Sequence, residues 1–329
     1  MEAPAAVPAV TAADVPRRRK SKARRRQDRR YYLRVVLYLS PWIIGFSVFT
    51  LYPMIASLQY SFYSYDLLGT PRYIGLENYT FMFTKDPLFW IAVRNTVWMI
   101  VFFIPIRLAF AVFTAAMLVR VTTGWRTYRT LFFLPTMVPA VAASLAFVYL
   151  FNPGVGPINT MLRGIGISDP PLWFRDPQWA KPALLLLALW GVGDAMIIFL
   201  AGMLDVPRQL YEAADIEGAG GWQKFRHVTL PLITPVIFFS VVMGVIDGFQ
   251  YFTQAYVASN QLSPNSVGYP ENSLLFYSVN LYRVGFRSYK MGYASAMAWV
   301  LLIIILLCTL LIIRTSRRWV YYQGGSVFK

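Results

Sequence analysis

The stretch "YEAADIEGAGGWQKFRHVTLP", Tyr211 to Pro231, is polar and basic, and it stands between two long apolar runs. Asp205 and Pro207 read as an N-cap and first-turn pair opening a short helix through Leu210, Ala213 and Ala214. Gly218, Gly220 and Gly221 end that helix, because glycine tolerates the positive φ of a helix C-terminus. A second amphipathic piece, "WQKFRHV", leads to Leu230 and Pro231, where the apolar sequence resumes. Taken alone, these residues fit either an interfacial helical hairpin or a knob with a small-residue apex that docks into another protein's cleft.

The surrounding sequence is 57% hydrophobic, 17% aromatic and only 14% charged over 329 residues, with a mean hydropathy of +0.48. That balance belongs to a bilayer protein. About 20 apolar residues cross roughly 30 Å of hydrocarbon, and six such segments occur, near 35–60, 90–119, 129–151, 181–203, 230–257 and 293–313. The fold class expected is therefore all-α, an integral membrane protein with six transmembrane helices. Residues 1–34 combine Ala and Pro with a basic block and are expected to be a disordered tail. They are no signal peptide, since the first apolar run is long enough to span and passes into the aromatic belt "QYSFYSY". Residues 35–313 form the six-span domain, including the loop 205–231, and residues 314–329 a second tail.

The charge distribution orients the chain. Eleven of the 31 Lys and Arg lie between Arg17 and Arg34. With that block inside, the same side gains Arg120, Arg126, Arg129, Arg208, Lys224, Arg226, Arg314, Arg317, Arg318 and Lys329. Arg72, Lys85, Arg163, Arg175, Lys181, Arg283, Arg287 and Lys290 face the other side. The positive-inside rule then places both termini and the loop 205–231 in the cytoplasm, in a multi-pass protein of the cytoplasmic membrane. The net charge of +16 is read as attraction to anionic membrane lipid and not to nucleic acid. The single Cys308 and single His227 leave no disulfide framework and no cysteine or histidine metal site. No G-x-x-x-x-G-K-[ST] phosphate loop is present, and no nucleophile, base and orienter stand together in the loops.

Inside the spans, small residues recur in "AFAVFTAAM" and "AVAASLA", which lets helices approach closely in lipid. Pro53, Pro105, Pro135, Pro139 and Pro235 are expected to interrupt their helices. Arg107, Asp194 and Asp247 are the intramembrane charges; each needs a partner or a wet cavity, so Arg107 either pairs with an aspartate or the aspartates face a solute. Gly244, Asp247, Gly248 and Tyr251 recur at helical spacing and share one face. A small, acidic and aromatic face of this kind suits a sugar, whose hydroxyls donate to carboxylates and whose ring packs on tyrosine.

The run Glu212, Ala213, Ala214, then Gly218, then Val228, Thr229, Leu230 and Pro231 resembles the EAA motif of permease subunits in binding-protein-dependent ABC importers. "YIGLENY", "FWIAVRNT", "YRTLFFLPTMVPAVAASLAFVYLFNPGVGPIN", "IIFLAGMLDVPRQLYEAADIEGAG" and "MGYASAMAWVLL" are similar to sugar permeases of the maltose and glycerol-3-phosphate type. The resemblance implies the type I importer permease fold, with a coupling helix between the fourth and fifth spans that fits a groove on an ATPase. Glu212, Ala213, Ala214, Gly218, Leu230 and Pro231 would carry that coupling. Gly191 and Asp194, with Gly248 and Tyr251, match positions lining the sugar site. The resemblance further implies a second, homologous permease in a heterodimer, two ATP-binding subunits holding ATP and Mg, an extracytoplasmic solute-binding protein, and a sugar as substrate. This chain is then no enzyme and carries no cofactor. A secondary carrier driven by an ion gradient, or an importer of glycerol-3-phosphate or another polyol, is the rival reading. The segment "ASNQLSPNSVGYPENS" departs from the glycine-rich pattern of relatives, so the external loop that meets the binding protein differs.

Overall fold

The computed structural model describes residues 22–121, 123–263 and 267–321, with residues 22–30 described by their backbone alone. Of the expected tails 1–34 and 314–329, the parts 1–21 and 322–329, with the basic residues Arg17 to Lys20 and Lys329, lie outside the described residues. The chain divides into two compact units between Ala56 and Ser57.

In the first unit a helix runs from Lys22 to Phe46, so residues 22–34, expected to be disordered, are helical. Ala, Lys, Arg, Gln and Leu are strong helix formers, and the basic block simply extends the apolar helix that follows it. A π turn, Ser47–Leu51, then precedes Pro53. A wider turn there accommodates an imino acid that cannot donate a backbone bond.

Four helical stretches are long and apolar enough to cross a membrane: Tyr31–Tyr60, Pro87–Arg120, Thr234–Leu262 and Met291–Ser316. Two bent pairs supply the third and fourth spans, Trp125–Met137 with Ala140–Leu150, and Ala180–Trp190 with Gly193–Leu204. Six spans result. The pairs bend by 95° and 51° respectively. The 95° break follows a 3-10 turn, Leu134–Met137, and places Pro139 at the N-cap of the next helix. Proline removes a donor there and holds Val138 extended. The other prolines behave differently from expectation. Pro105 sits within the unbroken helix Pro87–Arg120, and Pro235 lies in the first turn of Thr234–Phe249, so neither interrupts its span.

Specific polar contacts tie the second unit together away from the loop 205–231. Asp86 caps the second span, accepting from Leu88 N at 2.9 Å, and also accepts from Tyr293 of the sixth span at 2.7 Å. Buried Asn95 donates to the carbonyls of Asn272 and Leu275, fastening the segment before the sixth span to the second. A short antiparallel pair, Tyr63–Ser64 with Arg72–Tyr73, follows the first span.

The apolar core forms two clusters. Met99, Leu184, Phe276, Tyr277 and Met297 lie fully buried in one. Ala111 and Ala115 of the second span meet Met196, Phe199, Leu200 and Met203 of the fourth in the other. The small residues of "AFAVFTAAM" thus serve close helix approach, which is how helices gain packing energy where lipid offers no hydrophobic drive. The third and fourth spans approach closely at Gly193, where an added Cβ would lie 2.2 Å from the carbonyl oxygen of Phe132. Gly193→Ala should therefore lower stability by about 1–3 kcal/mol through overpacking. Gly164→Ala, which meets nothing within 4 Å, should leave the thermal unfolding of the detergent-solubilised protein unchanged, and equal melting of the two variants would contradict this account.

Candidate functional site

The breaks in the third and fourth spans do more than bend them. A helix that begins within the membrane exposes unpaired N–H groups, which is tolerable only against protein or a polar cavity. The half-helix Gly193–Leu204 begins this way and carries Asp194 in its first turn. A carboxylate there interacts favourably with the positive end of the helix dipole.

Arg107 of the second span reaches Asp194 directly: one guanidinium nitrogen lies 2.8 Å from Oδ1 and 2.7 Å from Oδ2. The Arg107 guanidinium also sits 5.7 Å from the centre of the Phe103 ring. The pair is not sealed, since the side chains keep 21% and 54% of their accessible surface. Two cavities share it. One, of about 480 Å³, lies against Arg107, Gly191, Asp194, Asp247, Gln250 and Tyr251. The other, of about 260 Å³, lies against Ile104, Arg107, Asp194, Met243, Gly244 and Asp247. Arg107, Asp194, Asp247 and Phe103 border both. They form the partition between the two spaces.

The sequence-derived candidates therefore separate. Gly191, Asp194, Asp247 and Tyr251 border the larger cavity and Gly244 the smaller. Gly248 borders neither: an added Cβ would stand 2.7 Å from Ile100 Cγ1, so this glycine admits the second span and does not face a solute. Helical spacing placed it on the same face, but that face is wide enough to be divided between a cavity and a packed neighbour. The Tyr251 hydroxyl is buried without a hydrogen-bond partner among the described residues, while its ring packs near Phe103 and Phe276. It is the ring that borders the cavity.

Gln250, Thr253, Gln254, Trp190 and Thr136 also border the larger cavity, and sequence reasoning did not single them out. The fifth span is interrupted between Phe249 and Thr253. The polar letters in "DGFQYFTQ" were the available signal for that interruption.

The loop 205–231 lies at the other end of the half-helix. Asp205 follows Leu204 as the C-cap of the fourth span and Pro207 is the N-cap of the next helix, so Asp205 does not open the loop helix as expected. That helix, Arg208–Ile216, ends in a Schellman turn. Ala219 N bonds Ala214 O at 2.9 Å, Gly218 N bonds Asp215 O at 3.0 Å, and Gly218 takes φ +77°. The interval from Ala214 to Gly218 is thus set by the geometry of a helix stop. Tyr211 and Thr229 share a 2.8 Å hydrogen bond, and Lys224 pairs with Asp215. Together these join the two arms of the loop. Glu212 is exposed, and Ile216 and Trp222 keep 89% and 69% of their surface. Tyr211, Phe225, Val228 and Leu230 pack back onto the cluster of Phe199, Leu200 and Met203. The half-helix Gly193–Leu204 thus connects the loop to Asp194.

Residues 108–320 match the family described as "Binding-protein-dependent transport system inner membrane component", and the chain belongs to that family. It is similar to "Probable ABC transporter permease protein YesP" of Bacillus subtilis (strain 168), 43% identical over 289 residues, covering 87% of this chain and 91% of that protein. It is 34% identical to "Arabinooligosaccharides transport system permease protein AraP" of the same organism over 286 residues, covering 85% and 87% respectively. Its fold matches a chain in the crystal structure of a bacterial alginate ABC transporter in complex with an alginate pentasaccharide-bound periplasmic protein, with a TM-score of 0.77. That match has 24% identity and covers 89% of this chain and 96% of the other. The architecture is that of an ABC importer permease.

Removing either member of the Arg107–Asp194 pair takes the counter-charge from its partner, and a charge within a span needs a partner or a wet cavity. Arg107→Met and Asp194→Leu should each lower the melting temperature of the solubilised protein. The double variant should be less destabilised than the sum of the two, by roughly 0.5–3 kcal/mol of coupling. Strict additivity would show that the contact contributes nothing.

Proposed function

We propose that this chain is one half of the permease core of an ATP-driven importer that carries a carbohydrate into the cell. The other half is a second, homologous permease. ATP and Mg are held by two separate ATP-binding subunits, which receive the loop 205–231 with Glu212, Ala213, Ala214 and Gly218 at its docking surface and Leu230 and Pro231 at its root. An extracytoplasmic binding protein delivers the sugar, and both termini lie in the cytoplasm.

The observation that carries this reading is the half-helix Gly193–Leu204. Its 12 residues make a rod of about 18 Å, with Asp194 beside the cavity at one end and Met203 packed against the loop residues at the other. A push on the loop is delivered to the ion pair without a flexible segment between them. Broken helices around a polar cavity are a recurrent way to build a site whose access alternates. The exposed Ile216 and Trp222 give the loop an apolar tip in water, a surface that calls for a protein partner.

The cavity chemistry narrows the sugar. Arg107 is the only cation bordering either space among the described residues, and Asp194 already engages it. Asp247 makes no hydrogen bond or ion pair among the described residues and leaves a net negative charge. Its oxygens are acceptors for hydroxyl or ammonium groups. A neutral or amino sugar fits this lining, and a uronate or a phosphate is repelled by it.

The test is uptake by proteoliposomes containing the assembled importer. Import should require the binding protein and the ATPase subunits, and vanadate should stop it. Uptake driven by an ion gradient without those subunits would overturn the proposal. Glu212→Lys and Gly218→Val, the latter costing about 1–2 kcal/mol at a left-handed position, should abolish uptake at unchanged membrane abundance. Asp247→Asn should weaken uptake while the basal ATPase rate persists.

A further inference from the structure

From the interruption at residues 250–252 outward, four aromatic rings form one contiguous cluster, in which Phe252 also meets Tyr282 directly at 5.3 Å. Phe252 stacks on Tyr256 with centroids 5.1 Å apart and planes 16° from parallel. Tyr256 meets Tyr282 edge-on at 5.0 Å. Tyr282 stacks on Phe286 at 5.3 Å and 24°. Each stacked pair is an i, i+4 neighbour, one at the far end of the fifth span and the other running from Tyr277–Tyr282 into the π turn Arg283–Arg287. Turns of this type are uncommon and are frequently found at functional sites.

The cluster reaches two different surroundings. Phe252 borders the 480 Å³ cavity, whereas Phe286 keeps 57% of its surface exposed. Tyr256 and Tyr282 between them are half-buried. A polar fringe runs alongside: Arg287 donates to Asn260 Oδ1 at 2.7 Å and to the Tyr256 hydroxyl at 3.1 Å. The cluster lies at the end of the fifth span opposite the loop 205–231, on the side from which, in the reading above, an imported solute arrives.

Flat aromatic faces beside hydroxyl and amide groups match a pyranose or furanose ring, which has an apolar C–H face and a polar hydroxyl edge. Sequence-tolerant stacking of this kind holds a ring without locking it in place. We propose that Phe286, Tyr282, Tyr256 and Phe252 form a carbohydrate-binding track that receives sugar rings at the outer surface and leads them to the cavity. The proposal rests on the carbohydrate reading above and adds a second site to it. Phe286 is the entry platform, and the Tyr256–Arg287–Asn260 fringe contacts hydroxyls.

The experiment is saturation-transfer NMR on the assembled importer in nanodiscs, with lactose, arabinotriose and diacetylchitobiose as probes. Phe286→Leu, Phe286→Trp, Tyr282→Leu and, for the cavity, Asp247→Asn are compared with the unaltered chain. At least one sugar should show transfer to the protons of one ring face, and Phe286→Leu should raise its half-saturating concentration roughly three- to tenfold, the range expected for one lost stacking face. Phe286→Trp should restore it. An affinity lowered by Asp247→Asn and unmoved by Phe286→Leu or Tyr282→Leu would overturn the track and leave the carbohydrate reading standing. Equal weakening by Phe286→Leu and Phe286→Trp would make Phe286 a packing residue and overturn the track. Absence of transfer from every sugar would overturn both proposals.

Discussion

The approach of Gly193 to the Phe132 carbonyl is the constraint on which the central architecture depends. No residue with a Cβ fits there without displacement of backbone, because the added atom would lie 2.2 Å from that oxygen. The contact lets the bent third and fourth spans meet at their breaks, and the breaks bring Pro135, Thr136, Val138, Gly191 and Asp194 around one cavity. Interrupted backbone at membrane depth is costly when it faces lipid and tolerable when it faces a polar space. Packing and polarity therefore support each other at this point in the fold.

The ion pair has two roles that follow from its position. It compensates two charges that would each be expensive alone, and its members stand in the partition between two cavities. Asp247 stands in the same partition and makes no ion pair among the described residues. Arg107 thus has two carboxylates within its neighbourhood and engages one of them. The rod Gly193–Leu204, about 18 Å long, joins that partition to the loop 205–231.

The loop itself is a compact object. The Schellman turn at Gly218, the Tyr211–Thr229 bond and the Lys224–Asp215 pair hold its arms together. Its apolar side chains divide between those packed inward on Phe199, Leu200 and Met203 and those left exposed, Ile216 and Trp222. A stiff loop transmits displacement; a flexible one would absorb it.

Much of this was legible in one dimension. Apolar run length gave six spans because hydrocarbon thickness sets a minimum length, and the Ala214-to-Gly218 interval was readable because a helix stop needs its left-handed residue at a fixed distance. Arg107, Asp194 and Asp247 stood out because charge within apolar sequence is rare. Other features depended on contacts between segments far apart in sequence. Only the tertiary structure decided that Arg107 takes Asp194 over Asp247, that Gly248 packs on Ile100 while Gly244 faces a cavity, and that Pro139 breaks its span while Pro105 does not. Composition and periodicity report what a residue would prefer as a neighbour. Which neighbour it obtains is settled when helices 87 residues apart in sequence, as Arg107 and Asp194 are, pack side by side.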